Sequence, residues 1–129
     1  MDKWEVKPLE SVGKIKFGMA RDDVHKVFGE KCTEFKKTKY SRNTTDNYGK
    51  FHVFYTPDNK VDAVEIFEGI EVVLDNCVIF PIEKREIEIL LQGLIKEGNS
   101  FIHTGKSIGI ETDGTKAESI LIGSKGYYE

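Results

Sequence analysis

The stretch Phe17–Phe28 (FGMARDDVHKVF) aligns without a gap on a second stretch, Phe80–Leu91 (FPIEKREIEILL), and this match dominates any prediction of the fold. Apolar residues coincide at a constant offset of 63 residues. The coinciding pairs are Phe17 and Phe80, Met19 and Ile82, Val24 and Ile87, and Phe28 and Leu91. Because an alternating apolar hairpin follows each stretch, the sequence predicts two tandem α–β subrepeats, with 12–78 and 79–129 as their limits.

Both stretches have the features of short amphipathic helices. In the first, Ala20, Val24 and Val27 recur at helical spacing, and Gly29 is placed to end the helix. Aspartates fall in its first turn, where a carboxylate favours the positive end of the helix dipole. The second helix is predicted over about 83–92, before Gly93.

Alternating apolar and polar residues predict hairpins around the helices. The predicted strand pairs are 51–55 with 61–67, 71–74 with 77–80, and 107–112 with 117–122. A short half-buried strand is also predicted over 13–18, and a further strand near 33–40. Asp113-Gly114 is the best tight-turn dipeptide of the chain. The predicted fold is α+β, a single domain over 1–129 in which two helices pack on one face of an antiparallel sheet.

Composition favours a water-soluble globular domain, with 39% hydrophobic and 32% charged residues. No apolar run approaches the roughly 20 residues of a membrane-spanning helix, and the opening residues lack the pattern of a secretory signal. We therefore expect a cytoplasmic protein that does not bind membranes. Cys32 and Cys77 form no CxxC motif and are expected to be free thiols.

Acidic residues are concentrated in the middle of the chain, where residues 51–90 hold nine Asp/Glu against three Lys/Arg. Such a surface can steer a basic partner, although an ordinary solvated face is the simpler interpretation. The basic cluster at 36–42 is short and belongs to an acidic protein, so nucleic-acid binding is not expected.

The motifs that usually carry chemistry are missing or incomplete. Thr104-Gly105-Lys106-Ser107 resembles the end of a phosphate-binding loop, but Ser100 stands where the motif needs glycine, and a strand pattern follows. The three histidines lack the spacing of a zinc motif, and neither cysteine has a catalytic context. The sequence thus predicts no enzyme, no metal and no cofactor.

The order of strand, Gly-Met, helix and closing Gly in Val12–Gly29 resembles a group of small bacterial α/β proteins. Two relatives by pattern are the outer-membrane assembly lipoprotein BamE and the repeats of β-lactamase inhibitory protein. The hairpin 51–67, the link 72–80 and the ending 107–128 extend the likeness over most of the chain. Within that group, the chain is most similar to immunity proteins of bacterial polymorphic or contact-dependent toxins.

The resemblance implies a non-enzymatic cytoplasmic protein that neutralises a cognate toxin domain by direct occlusion, and a basic, nuclease-type toxin is one candidate. The oligomeric state is left open. The expected partner contacts are four carboxylates and three aromatic anchors: Glu65, Glu68, Glu71, Asp75, Tyr40, Tyr48 and Tyr55. The alternatives are a small ligand-binding domain or enzyme that uses the open sheet face, and an envelope scaffold module.

Overall fold

A computed structural model describes residues 2–129, which form two short helices and thirteen strands. The helices are α1 (Arg21–Phe28) and α2 (Lys84–Leu90). The strands are β1 (Asp2–Lys7), β2 (Ser11–Val12), β3 (Ile15–Lys16), β4 (Thr33–Phe35), β5 (Thr45–Asn47), β6 (Phe51–Tyr55), β7 (Val61–Ile66), β8 (Ile70–Leu74), β9 (Cys77–Phe80), β10 (Ile95–Glu97), β11 (Ser100–His103), β12 (Ile108–Thr112) and β13 (Ala117–Gly123).

The strands form two sheets. A five-stranded sheet has the order β3-β2-β1-β8-β9, and an eight-stranded sheet has the order β10-β11-β12-β13-β7-β6-β5-β4. All described pairings are antiparallel except that of β1 with β8, which is parallel. One core cluster combines apolar side chains of both sheets, such as Val6 and Val72 from the smaller and Val64 and Ile120 from the larger.

The predicted α+β class is wrong. The chain is mostly β, with 46% of its residues in strands and 12% in helices, and two sheets replace the single helix-covered sheet. Each helix is short and fully buries one side chain, Val24 in α1 and Ile87 in α2. The second sheet escaped prediction because β1, which reads as an extended lead-in, pairs with the distant strand β8.

The two halves of the eight-stranded sheet nevertheless correspond in detail. In each half a helix is followed by a four-stranded antiparallel meander, and the last strands of the two meanders, β7 and β13, pair at the centre of the sheet. The helices begin 63 residues apart, at Arg21 and Lys84. A gene duplication as the origin of this correspondence stays a prediction.

Matching backbone bonds hold each helix start to its own hairpin turn. The amide of Arg21 donates to the carbonyl of Asn59 at 2.9 Å, and the amide of Lys84 donates to the carbonyl of Thr115 at 2.8 Å. An isolated bridge precedes each helix, joining Ala20 to Lys60 in one half, and Glu83 to Lys116 in the other.

Strand register extends the correspondence to the interior. Asp46 on β5 lies opposite Val53, which lies opposite Val64 on β7. In the other half, Phe101 on β11 lies opposite Ile110, which lies opposite Ile120 on β13. Asp46 and Phe101 therefore occupy equivalent positions, and both are buried.

Candidate functional site

The four acidic residues predicted to contact a partner are distributed over both sheets. Glu65 lies on β7 of the eight-stranded sheet, where its carboxylate accepts a 3.0 Å hydrogen bond from Ser119. Glu71 lies on β8 of the five-stranded sheet. Glu68 is exposed in the connection between these strands, and Asp75 is exposed in the β8–β9 turn. The four acidic residues predicted from the sequence therefore do not lie together on one face of a sheet.

The three predicted aromatic anchors have different environments. Tyr40 is 80% exposed. Tyr48 is half-buried, with its ring stacked on Phe51 and its hydroxyl donating to the carbonyl of Gly29. Tyr55 is only 8% exposed, and its hydroxyl donates to Asp46 at 2.7 Å. Of the three, Tyr40 is best placed to meet a partner, whereas Tyr55 belongs to the interior.

Tyr55 leads to a site that the sequence did not predict, a polar cluster of Asp46, Arg21, His25 and Tyr55 around one carboxylate. The Asp46 side chain is fully buried. Its Oδ1 accepts a 2.7 Å hydrogen bond from Nη2 of Arg21. Its Oδ2 lies 2.7 Å from the Tyr55 hydroxyl and 2.7 Å from Nε2 of His25. Both carboxylate oxygens are therefore engaged.

The partners determine the protonation of the cluster. Burial by itself would raise the pKa of Asp46, but hydrogen bonds from Arg21, Tyr55 and His25 outweigh it and lower the pKa below its ordinary value. Burial, followed by the bond to Asp46, raises the pKa of Tyr55. The cluster is therefore built around an ionised Asp46 and a neutral Tyr55 that donates its hydroxyl proton.

Arg21 also connects the polar cluster to an outer shell of oxygen atoms. Its guanidinium lies 3.2 Å from the Glu34 carboxylate and 3.0 Å from the Thr44 hydroxyl. It further contacts the side-chain oxygens of Asn43 and Asn59, and it lies 4.4 Å from the centre of the Tyr55 ring. One side chain of α1 thereby joins the helix to β4, β5 and the loop between them.

Little in the sequence could have revealed this cluster. Arg21 and Asp46 are separated by 25 residues, and Asp46 lies in a polar stretch outside the predicted strands. The one available signal is Thr45, a β-former beside Asp46 in a segment with few apolar residues. In the structure, Thr45 and Asp46 are both buried in β5.

The equivalent place in the second half is an open depression. Lys84, Lys96 and Phe101 line it, together with Glu88 of α2. Beside it, segment 89–95 presents three aliphatic side chains to solvent: Ile89 (74% exposed), Leu90 and Ile95. Strand β10, at the end of this segment, is an edge of the eight-stranded sheet.

Three chemically different ligand atoms converge at the edge of the polar cluster, which contributes two of them. They are a ring nitrogen of His25, the thiol sulfur of Cys32 and a carboxylate oxygen of Asp46, all within 4.8 Å of one another. Cys32 and Cys77 are both free thiols. The Thr104–Ser107 segment is a turn followed by β12, so no helix start is available there to bind phosphate.

Comparison of the chain with protein-family profiles, with curated proteins and with solved structures gives no match. Within residues 2–129, neither helix has the length and apolar character needed to cross a bilayer.

Proposed function

We propose that this chain is a non-enzymatic, cytoplasmic binding protein that neutralises a protein toxin by covering its functional surface, as an immunity protein does. The observation that carries the proposal is segment 89–95, whose exposed aliphatic side chains lie next to the open edge strand β10. Exposed apolar groups beside unpaired strand edges are typical of surfaces that bind another protein.

The surface has the composition of an interface. Ile89 and Ile95 are large and mostly exposed, so their burial by a partner would be favourable in proportion to the apolar area covered. The outer edge of β10 offers backbone groups to which a partner strand can pair. Charged residues of the neighbouring depression, such as Arg85, Glu88 and Lys96, form a polar rim.

The polar cluster is less suited to binding a large partner, because its carboxylate is buried and both oxygens are engaged within the chain. The exposed residues Tyr40, Glu68 and Asp75 remain candidates for peripheral contacts. In this proposal the acidic ones steer a basic toxin domain, and segment 89–95 provides the apolar centre.

The proposal is tested by capture of a partner from the source cells, followed by co-expression of the captured toxin domain with this chain. We expect growth to be rescued by the wild-type chain and by Val78→Glu. The Ile89→Glu/Ile95→Glu double variant should fail to rescue growth. Val78 is the matched control, because it is an exposed aliphatic residue on β9, the edge strand of the other sheet.

The two parts of the proposal fail in different ways. If the double variant still rescues growth while folded, segment 89–95 is not the interface. If the wild-type chain binds a partner but relieves no toxicity, the protein is not an immunity protein.

A further inference from the structure

We infer that His25, Cys32 and Asp46 form a binding site for a zinc-like divalent transition-metal ion. The evidence for this site is geometric, because the fold brings together ligands from three separate parts of the chain. His25 lies on α1, Cys32 lies just before β4, and Asp46 lies on β5. A ring nitrogen, a thiol and a carboxylate form a ligand set that suits Zn²⁺ and related ions.

The distances require only a small adjustment. Tetrahedral zinc with nitrogen, sulfur and oxygen ligands places those atoms about 3.3–3.6 Å apart. The three ligand atoms already lie within 4.8 Å of one another, and Nε2 of His25 is 2.7 Å from Oδ2 of Asp46. The thiol therefore needs to approach by at most about 1 Å, and the imidazole and carboxylate must separate slightly to admit an ion.

The charges around the site also accommodate an ion. Zn²⁺ bound by a thiolate and a carboxylate is neutral overall. Arg21 stays on Oδ1 of Asp46, away from the oxygen that faces His25, and its charge is balanced by Glu34 at 3.2 Å. Arg21 on Oδ1 and the Tyr55 hydroxyl on Oδ2 would thus orient the ligating carboxylate, which is the role that outer partners play at metal sites, and Oδ2 keeps a second lone pair for the ion.

Binding moves protons in a defined way. Cys32 loses its thiol proton to solvent as the sulfur–metal bond forms. In the metal-free site Nε2 of His25 donates its proton to the ionised Asp46 carboxylate. That proton leaves to solvent when the ion binds, and the imidazole keeps one proton on Nδ1, so that the Nε2 lone pair faces the ion. Burial, followed by the nearby Asp46 charge, raises the pKa of the Cys32 thiol, so the metal-free site holds a thiol there.

The site is accessible from the surface. The His25 side chain is 20% exposed and borders a shallow depression with Asp22 and Glu30. Cys32 is half-buried and borders another depression, next to Asn47. Three protein ligands leave a fourth position that water can fill, which is the arrangement of an open zinc site.

The two cysteines provide a matched test by Co²⁺ titration of the full chain with a non-chelating reductant present. We expect one Co²⁺ per chain, a thiolate-to-cobalt charge-transfer band, and displacement of that band by Zn²⁺. Cys77→Ser should leave the band unchanged, since Cys77 is exposed on β9 and far in sequence from the ligand set. Cys32→Ser should abolish it and weaken binding at least about tenfold.

A second ligand variant tests whether weaker binding results from loss of a ligand or from misfolding. His25→Asn should also weaken Co²⁺ binding while the far-ultraviolet circular dichroism stays that of the wild type. Identical Co²⁺ spectra in the wild type and Cys32→Ser, loss of the band in Cys77→Ser, or no binding by the folded wild type at micromolar Co²⁺ would each overturn the inference.

Discussion

The two halves of the eight-stranded sheet share one backbone frame, a helix followed by a four-stranded meander, but one half buries a charged side chain and the other buries an apolar one. The first half places the carboxylate of Asp46 beneath α1 and surrounds it with Arg21, His25 and Tyr55. The second half places the ring of Phe101 at the equivalent position and leaves an open depression beneath α2. The frame is therefore compatible with either a charged or an apolar interior.

The difference shows what each solution requires. A buried carboxylate is stable only if its oxygens are hydrogen-bonded and its charge is paired, and the first half supplies three partners. A buried phenyl ring requires only close packing. Because the second half maintains the frame with the buried ring of Phe101, an apolar side chain at this position is sufficient to build it.

The largest effect is expected when the carboxylate is removed from the first half. Asp46→Ala leaves Arg21 and Tyr55 without their buried acceptor, so the free energy of unfolding should fall by about 3–5 kcal/mol. Urea unfolding monitored by tryptophan fluorescence checks this, because Trp4 is the only tryptophan. A loss below about 1 kcal/mol would mean that the Asp46 site relaxes or hydrates freely.

Acid should remove much of the same stabilisation. The folded-state pKa of Asp46 lies below its ordinary value, so its contribution is present above about pH 4, the unfolded-state value, and is lost as the pH falls through the folded pKa. Urea unfolding at several pH values should therefore show a steeper acid loss for the wild type than for Asp46→Asn. Parallel curves for the two proteins would contradict this.

A smaller effect is expected when the first half is given an apolar interior like that of the second. In the triple variant Arg21→Met/Asp46→Leu/Tyr55→Phe, the carboxylate is removed together with Arg21 and Tyr55, two of its three hydrogen-bond donors. The third, His25, has a side chain that is 20% exposed and can turn to water, so no buried charge is left unpaired. The unfolding free energy should lie within about 2 kcal/mol of the wild-type value. A triple variant as unstable as Asp46→Ala would show that the two interiors are not interchangeable.

The smallest effect is expected when a surface ion pair of the second half is removed. The two charged groups of this pair are as close together as those of Arg21 and Asp46. Arg85 Nε lies 2.7 Å from the Glu83 carboxylate, as close as Arg21 lies to Asp46, but the Arg85 side chain is 81% exposed. Arg85→Ala should therefore change the unfolding free energy by less than about 1 kcal/mol. A larger loss in the same urea assay would mean that burial is not what separates the two pairs.

Local patterns in the sequence predicted the helices and hairpins, because these elements depend on residues that are close together in the chain. The offset of 63 residues between the two stretches is the offset between the helix starts, and Val24 and Ile87 are both fully buried. The hairpins at 51–66, 70–80 and 108–123 follow the alternation. Apolar periodicity reports such local elements directly.

Contacts between distant segments could not be predicted in this way. The pairing of β1 with β8 joins Asp2 to Ile70, and nothing in either strand specifies that partner. Asp46 reads as a surface residue because a carboxylate is rarely buried, and only the tertiary fold brings Arg21 to it. The candidate metal ligands have no recognisable spacing for the same reason.

Tyr127 and Tyr128, near the end of the chain, pack on one face of the eight-stranded sheet, over strands β6, β7, β12 and β13. The Tyr128 hydroxyl occupies the space that a Cβ atom at Gly109 would need, and the Tyr127 ring occupies the equivalent space at Gly123. Both tyrosines pack on the small apolar group of Phe54, Ala63 and Leu121. A chain clipped after Ser124 would keep its core but present that apolar strip to water, so proteolytic trimming there should appear first as self-association and lower solubility rather than as unfolding.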